Sequence, residues 1–259
     1  MINNINWREL QDSFVSAKPF NHVIIDNFFK PEIALELSKE FPDYNSDIWF
    51  EYGNNLENKK LHNLWNLFPK VMYNVFHELN GAGFIDNVKE LTGIEKLYPD
   101  LGLHGGGCHL HARGGKLNVH KDYSIHPKLK LHRKLNIIIY LTPEWDLSWG
   151  GGLELWSSKE DGRPNKIEHY VDCIFNRAVI FDTTQNSWHG LPEPIECPEN
   201  SYRKSLAIYY LTDPPEGVDD RERALFAPHK EQADNPEILE LIKQRSDATL
   251  FEDSYRKNV

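Results

Sequence analysis

The sequence predicts a mainly β fold with flanking helices, of the sandwich or jelly-roll kind. Past residue 95 the chain breaks into short β-branched and aromatic runs divided by glycine, at 107–112, 117–120, 135–141, 153–156, 167–171, 178–182 and 206–211. Several short strands at this spacing are the pattern of an all-β domain. Before residue 95 the apolar residues recur instead with helical spacing. A length of 259 residues, 40% hydrophobic and 26% charged, suits one structural domain with a sizeable core.

In chain order, residues 20–29 contain the β-branched run Val23-Ile24-Ile25 and end at Asp26-Asn27, a strand followed by a turn. Pro31 opens a helix that Pro42 stops, because proline is favoured at the first helical position. Residues 43–62 are polar and aromatic without a period and read as loop. Apolar residues at 64, 67, 68, 71, 72, 75, 76 and 79 form a helical stripe whose regular part starts at Pro69. A further helix, 84–91, closes at Gly93. These helices read as packing against a sheet. Asn235 and Pro236 start a last helix over 237–245. The organisation expected is 1–95 as an N-terminal strand with supporting helices, 96–212 as the β core and 213–259 as a C-terminal helical appendage. That appendage packs on the core or on a second subunit, which leaves a homo-oligomer open.

Net charge is −10, which argues against a nucleic-acid or anionic-membrane binder. No apolar run approaches the ~20 residues of a spanning helix. The N-terminus has no basic segment followed by an apolar run, so a signal peptide is not expected. The three cysteines, Cys108, Cys173 and Cys197, are scattered and form no CxxC pair. They read as reduced thiols of a cytoplasmic protein.

The stretch 117–122 carries His120-Lys121-Asp122. Residues i and i+2 of a strand share one face, so the imidazole and the carboxylate can meet one metal ion. One His and one carboxylate are two of the three ligands of the facial triad that holds non-haem Fe(II). With 12 His and 39 acidic residues, chance supplies roughly two such triplets. The other, His229-Lys230-Glu231, lies in the polar tail with no later histidine to complete it. Downstream of the first stand His169 and His189. His189 follows the strand at 178–182 and is the better third ligand, whereas His169 sits among charged neighbours and reads as an exposed strand histidine. Fourteen residues later, Arg203 and Ser205 form another i, i+2 pair on an apolar strand. A guanidinium beside a hydroxyl suits a carboxylate. Arg203 taken alone would read as a surface arginine.

From about residue 105 to 212 the chain resembles the 2-oxoglutarate and Fe(II)-dependent oxygenases, particularly their prolyl 4-hydroxylase-like branch. His120-x-Asp122 resembles the first two iron ligands and His189 the distal one. The segment Arg133-Lys134-Leu135-Asn136 through Tyr140 resembles the central strand, and Gly151-Gly152-Leu153-Glu154-Leu155-Trp156 the glycine-led strand. Arg203-x-Ser205 resembles the motif that binds the far carboxylate of 2-oxoglutarate. Residues 20–29 are similar to the strand that opens many members. One departure stands out. Members often carry Tyr-x-x-Gly-x-x-Leu-x-x-His before the first ligand, the Tyr contacting 2-oxoglutarate; here Gly114, Leu117 and His120 fit, but His111 replaces the Tyr. Asn136 and Tyr140 are possible substitutes for that contact.

The resemblance implies a double-stranded β-helix (jelly roll, cupin-like) that binds Fe(II) and the cosubstrate 2-oxoglutarate. It implies a dioxygenase that consumes dioxygen, releases succinate and CO2, and hydroxylates an unactivated C–H of a small molecule or peptidyl residue. Retention of Asp122 argues against halogenation, because family halogenases replace that carboxylate with a small residue. Tyr123, Ser124, His126, Trp145, Trp149 and Trp188 flank the expected metal and could line a pocket, but buried packing or loop anchoring is the expected role for most of them. Two other readings remain open at this point: a cupin-like Zn(II) or Mn(II) hydrolase or isomerase, and a non-catalytic jelly-roll binding module.

Overall fold

The structure, a computed structural model, describes residues 1–247. The end of the expected appendage, 248–259, lies outside the described residues. Helices and strands follow in the order α1 (Gln11–Ser16), β1 (His22–Ile25), α2 (Pro31–Lys39), β2 (Phe50–Gly53), β3 (Glu57–His62), α3 (Lys70–Leu79) and α4 (Ala82–Thr92). Then come β4 (Tyr98–Pro99), β5 (Gly107–His111), β6 (Lys116–Lys121), β7 (His132–Tyr140), β8 (Leu153–Ser158), β9 (Pro164–Val171) and β10 (Ala178–Asp182). The chain finishes with β11 (Trp188–Leu191), β12 (Arg203–Thr212), β13 (Leu225–Phe226) and α5 (Pro236–Ser246).

Eight of the strands form a jelly roll. Antiparallel pairing joins β5 to β12, β6 to β11, β7 to β10 and β8 to β9, so the chain is one long hairpin wound into two half-sheets. One half runs β1-β10-β7-β12-β5 and the other β6-β11-β8-β9, with β3 bridging β5 to β6. This is a double-stranded β-helix. The helices cover one face of the first half: Phe14, Leu37, Val75 and Val88 share a core with Ile137, Ile139, Ile180, Leu206 and Ile208. Strand alternation turns the next residues of β7 and β12 to the opposite face, where the site lies.

Local signals explain most boundaries. Pro31 occupies the first helical position of α2. Gly93 ends α4 at φ 72°, the left-handed conformation in which glycine meets no Cβ penalty. The Asn235 side chain accepts from the backbone N–H groups of Glu237 and Ile238 and so caps α5.

The expected loop at 43–62 is corrected in part by the structure: 43–49 are irregular, but 50–62 form the antiparallel hairpin β2–β3. The physical reason lies in the side chains. Glu57, Lys59 and Leu61 alternate onto a polar cavity, so this strand lacks the apolar face that marks most strands. The turn is built by Asn54, whose side chain accepts from the N–H groups of Leu56 and Glu57. The short α1 also has no apolar stripe to announce it, because it buries only Phe14. The described part of the appendage packs on its own core: β13 pairs with β6, and α5 packs on β13. Among the described residues no helix is long and apolar enough to cross a membrane.

Candidate metal and cosubstrate site

A cavity of about 510 Å³ opens between the half-sheets. From β12 it receives Arg203, Ser205, Ala207 and Tyr209, every second residue of the strand. From β5 it receives His109 and His111, and from β7 Asn136 and Ile138.

His120 and His189 are direct cross-strand partners in the β6–β11 pair. Their rings lie 4.4 Å apart, and each Nε2 is 3.8 Å from an oxygen of Asp122. One ligand atom from each of the three residues falls within 4.8 Å of the others, and all three residues are buried. The Nδ1 of His120 meets the carbonyl of Asn118 at 2.9 Å, and that of His189 meets the carbonyl of Ser187 at 2.8 Å. A carbonyl only accepts, so each Nδ1 carries the proton and each Nε2 presents its lone pair to the site.

The electrostatics match this geometry. Burial, followed by the neighbouring His189, lowers the His120 pKa to about 3. Burial likewise lowers that of His189. Burial is also the strongest influence on Asp122 and would raise its pKa; Arg133 and the two histidines outweigh it and hold the carboxyl at about 2. Two neutral imidazoles and one carboxylate are the protonation states a divalent metal requires. Two imidazoles and one carboxylate are the donor set that suits Fe(II).

Arg203 and Ser205 stand on the same cavity. Arg203 is 2% exposed, donates from Nε to the Gly151 carbonyl and from Nη1 to Ser205 Oγ at 3.2 Å, and lies over the Tyr140 ring. Gly151 must be glycine: its φ is +81°, and a Cβ there would sit 3.0 Å from Arg203 Cδ. His111 is the cross-strand partner of Arg203, and neither of its buried ring nitrogens has a hydrogen-bond partner. The Tyr140 hydroxyl is also buried without a partner, but Tyr140 does not line the cavity. The Asn136 amide donates to Asp122 Oδ2 at 3.4 Å. Buried polar atoms without partners are uncommon, and here they cluster beside a fixed guanidinium. The unpartnered His111 ring, which does line the cavity, suits an anionic cosubstrate with several acceptor oxygens.

Other flagged residues lie elsewhere. Of the six flanking candidates only Tyr123 lines the cavity. Trp145 and Trp149 pack edge to face on one another, and His126 faces Asp100 at 3.6 Å. His169 packs on His22, and His229 pairs with Glu193.

Sequence reasoning missed two groups. Arg133, 2% exposed, reaches Asp122 Oδ1 at 3.1 Å and donates to the His104 carbonyl at 2.7 Å. Its guanidinium is sandwiched between the rings of Tyr123 and Tyr209, 3.3 and 3.4 Å from their centres. The charge next to an apolar strand was visible, but its partners come from three separate segments. The second group is the outer wall of β3, β13 and α5: Glu57, Lys59, Phe226 and Arg245 all line the cavity. Phe226 is the cross-strand partner of His120, and their rings stack 5.3 Å apart.

The chain is similar to known oxygenases in sequence and in fold. The profile of the 2OG-Fe(II) oxygenase superfamily matches residues 106–211. Prolyl 3-hydroxylase OGFOD1 of Mus musculus is 26% identical over 208 residues, 76% of this chain and 34% of its own. The Xenopus laevis protein of the same name is 26% identical over 255 residues, 92% of this chain and 46% of its own. The chain thus spans less than half the length of these curated relatives. Among solved structures, a Pseudomonas putida prolyl-4-hydroxylase superposes with a TM-score of 0.55 at 14% identity, covering 81% of this chain and all of its own. Fold, profile match and relatives point the same way: residues 106–211 match the 2OG-Fe(II) oxygenase superfamily, and the chain is similar to prolyl hydroxylases in sequence and in fold.

Proposed function

We propose that the protein is a dioxygenase that hydroxylates an unactivated C–H bond of a peptidyl residue or a small molecule, releasing succinate and CO2. The observation that carries this reading is the buried cluster of His120, Asp122 and His189 on the same cavity as the buried Arg203–Ser205 pair. Those three residues would hold Fe(II). Bound iron and 2-oxoglutarate supply the oxygen chemistry, the cosubstrate being oxidatively decarboxylated to succinate.

The chain's own part is to bind, orient and keep dry. Arg203 and Ser205 take the far carboxylate of 2-oxoglutarate through charge-assisted hydrogen bonds. His111 faces the same space and offers it a further ring N–H. Tyr140 lies beneath the Arg203 guanidinium and restrains it. Arg133 and Asn136 hold the two oxygens of Asp122, which fixes the direction of that carboxylate before any ligand arrives. Phe226, Tyr209 and Phe50 close the cavity with apolar surface. Its volume admits one side chain of a polypeptide or a small metabolite. Three free, buried cysteines suit a reducing, cytoplasmic setting.

The test is succinate formation that depends on added Fe(II) and 2-oxoglutarate, measured for the parent chain and for Asp122→Ala. Turnover lost in the variant supports the reading. Equal turnover in both would remove Asp122 from the site, and metal-dependent turnover without succinate would favour a hydrolase.

A further inference from the structure

β5 turns two histidines onto the cavity, His109 and His111, while Cys108 and Leu110 between and beside them enter the core behind. The two imidazoles are held differently. His111 lies opposite Arg203 across the strand pair, and both of its ring nitrogens are buried without a partner. It can carry its proton on either nitrogen and so donate to an oxygen. His109 lies opposite Ser205, and its Nε2 meets the Gly105 carbonyl at 3.2 Å. A carbonyl only accepts, so the proton of His109 sits on Nε2, and Nδ1 is left with a lone pair. Among the described residues no hydrogen bond reaches that Nδ1, and His109 is only partly buried, so the nitrogen stays open to the cavity.

The His109 ring is uncharged. Burial lowers its pKa to about 3; Lys59 and Arg203 act in the same direction, and Asp122 opposes them. The ring thus stands between the cosubstrate anchor Arg203 and the metal cluster. Its position is also tied to that cluster. Gly105, whose carbonyl holds His109, follows His104, whose carbonyl accepts from Arg133 Nη2 at 2.7 Å. Arg133 in turn reaches Asp122 Oδ1 at 3.1 Å. A molecule bound at His109 therefore keeps a fixed offset from the metal ligands.

The open nitrogen does not suit the cosubstrate. 2-Oxoglutarate presents only acceptor oxygens, and two acceptors facing each other repel. Nδ1 needs a donor. Lys59 and Arg203, which disfavour a positive charge on the His109 ring, also disfavour an ammonium or guanidinium beside it. An uncharged donor remains, and an amide N–H satisfies the lone pair without setting an oxygen against it.

We propose that His109 is a substrate-binding residue that selects an amide: its Nδ1 accepts the amide N–H of the primary substrate and so sets how the reacting carbon faces the metal. This rests on the oxygenase reading above. The amide can be a peptide bond beside the hydroxylated residue or the amide of a small molecule. The two histidines of β5 then divide the work, His111 serving the cosubstrate and His109 the primary substrate.

The experiment uses the full chain loaded with Zn(II) and 2-oxoglutarate, which keeps it from turning over and leaves it diamagnetic. Nitrogen NMR of the imidazoles reads the tautomer, with His109 assigned by its loss in His109→Phe or His109→Gln. In the parent chain Nε2 is expected to carry the proton and Nδ1 to be bare. The probes are acetyl-alanyl-prolyl-alanine dimethylamide against the same peptide methylated on both alanine nitrogens, and N-methylacetamide against N,N-dimethylacetamide. In at least one pair the N–H member is expected to shift the Nδ1 resonance and to bind about five-fold or more tightly, because its methylated partner leaves the acceptor unsatisfied. The pair that responds identifies the source of the amide. His109→Phe should abolish the difference and leave 2-oxoglutarate affinity unchanged; His109→Gln, whose amide oxygen accepts, should keep part of it. A purely structural role for His109 moves neither the Nδ1 resonance nor the discrimination within a pair. Both are read on the parent chain, so they decide the matter if His109→Phe does not fold. A proton on Nδ1, equal binding within both pairs, no binding by any probe, or a difference that survives His109→Phe would overturn the assignment. Failure of the oxygenase reading shows separately, as absence of a charge-transfer band with Fe(II) and 2-oxoglutarate in the same protein.

Discussion

The floor and the outer wall of the cavity are built in different ways. On the floor, β7, β11, β12 and the end of β6 supply Asn136, His189, Arg203, Ser205, His120 and Asp122, from strands paired on both sides within the jelly roll. All of them fall inside the segment matched by the superfamily profile, 106–211. The wall is made from the β2–β3 hairpin before that segment and from β13 and α5 after it. The two regions meet at His120, which carries Phe226 against its ring. The difference teaches where each kind of information sits. On the proposed function, the donor set sits on the paired strands of the jelly roll, and the flanking segments supply the wall that a substrate would meet.

Substitutions that separate the two regions test this division. The largest effect is expected on the floor. Asp122→Ala or His189→Ala should abolish succinate formation and lower Fe(II) affinity by more than about 100-fold, because each removes one of three protein ligands; calorimetry with a redox-inert ion checks the second effect. Arg203→Ala should weaken 2-oxoglutarate binding by about 2 kcal/mol or more, roughly 30-fold, with little change in metal affinity. Unaltered 2-oxoglutarate affinity would place the far carboxylate elsewhere. Arg133→Met preserves length and loses the hold on Asp122, and should cost about 10- to 100-fold in metal affinity; Arg133→Lys should restore part of it. On the wall, Phe226→Ala should destabilise the fold by about 3 kcal/mol through lost packing, read as a lower midpoint in urea. The smallest effect is expected from Lys60→Ala. Lys60 sits beside Lys59 on the other face of β3, paired with Glu51, and its loss should cost under about 1 kcal/mol and leave both affinities unchanged.

The same division governs what could be read from the sequence. His120-x-Asp122 and Arg203-x-Ser205 were legible because a strand places i and i+2 on one face, so local spacing already encodes shared direction. The helices α2, α3, α4 and α5 were legible from proline, asparagine and glycine at their ends and from apolar periodicity. β3 was not, because its inward residues are Glu57 and Lys59, and a strand facing a polar cavity loses the apolar alternation that identifies it. Arg133 was not, because its role depends on Tyr123, Tyr209 and the His104 carbonyl, which only the tertiary fold assembles. The tryptophans follow the packing reading: Trp145, Trp149 and Trp188 are near the ligands in sequence, yet none of them lines the cavity.

The central claim is that one cavity joins an iron site made by His120, Asp122 and His189 to a 2-oxoglutarate site made by Arg203. Anaerobic absorption spectroscopy addresses both halves at once. Addition of Fe(II) and then 2-oxoglutarate to the parent chain should produce a visible charge-transfer band, because the cosubstrate chelates the metal. The band should be absent in Asp122→Ala and should need a higher 2-oxoglutarate concentration in Arg203→Ala. A parent chain that binds Fe(II) and gives no band, or an Asp122→Ala variant that gives the same band, would contradict the account.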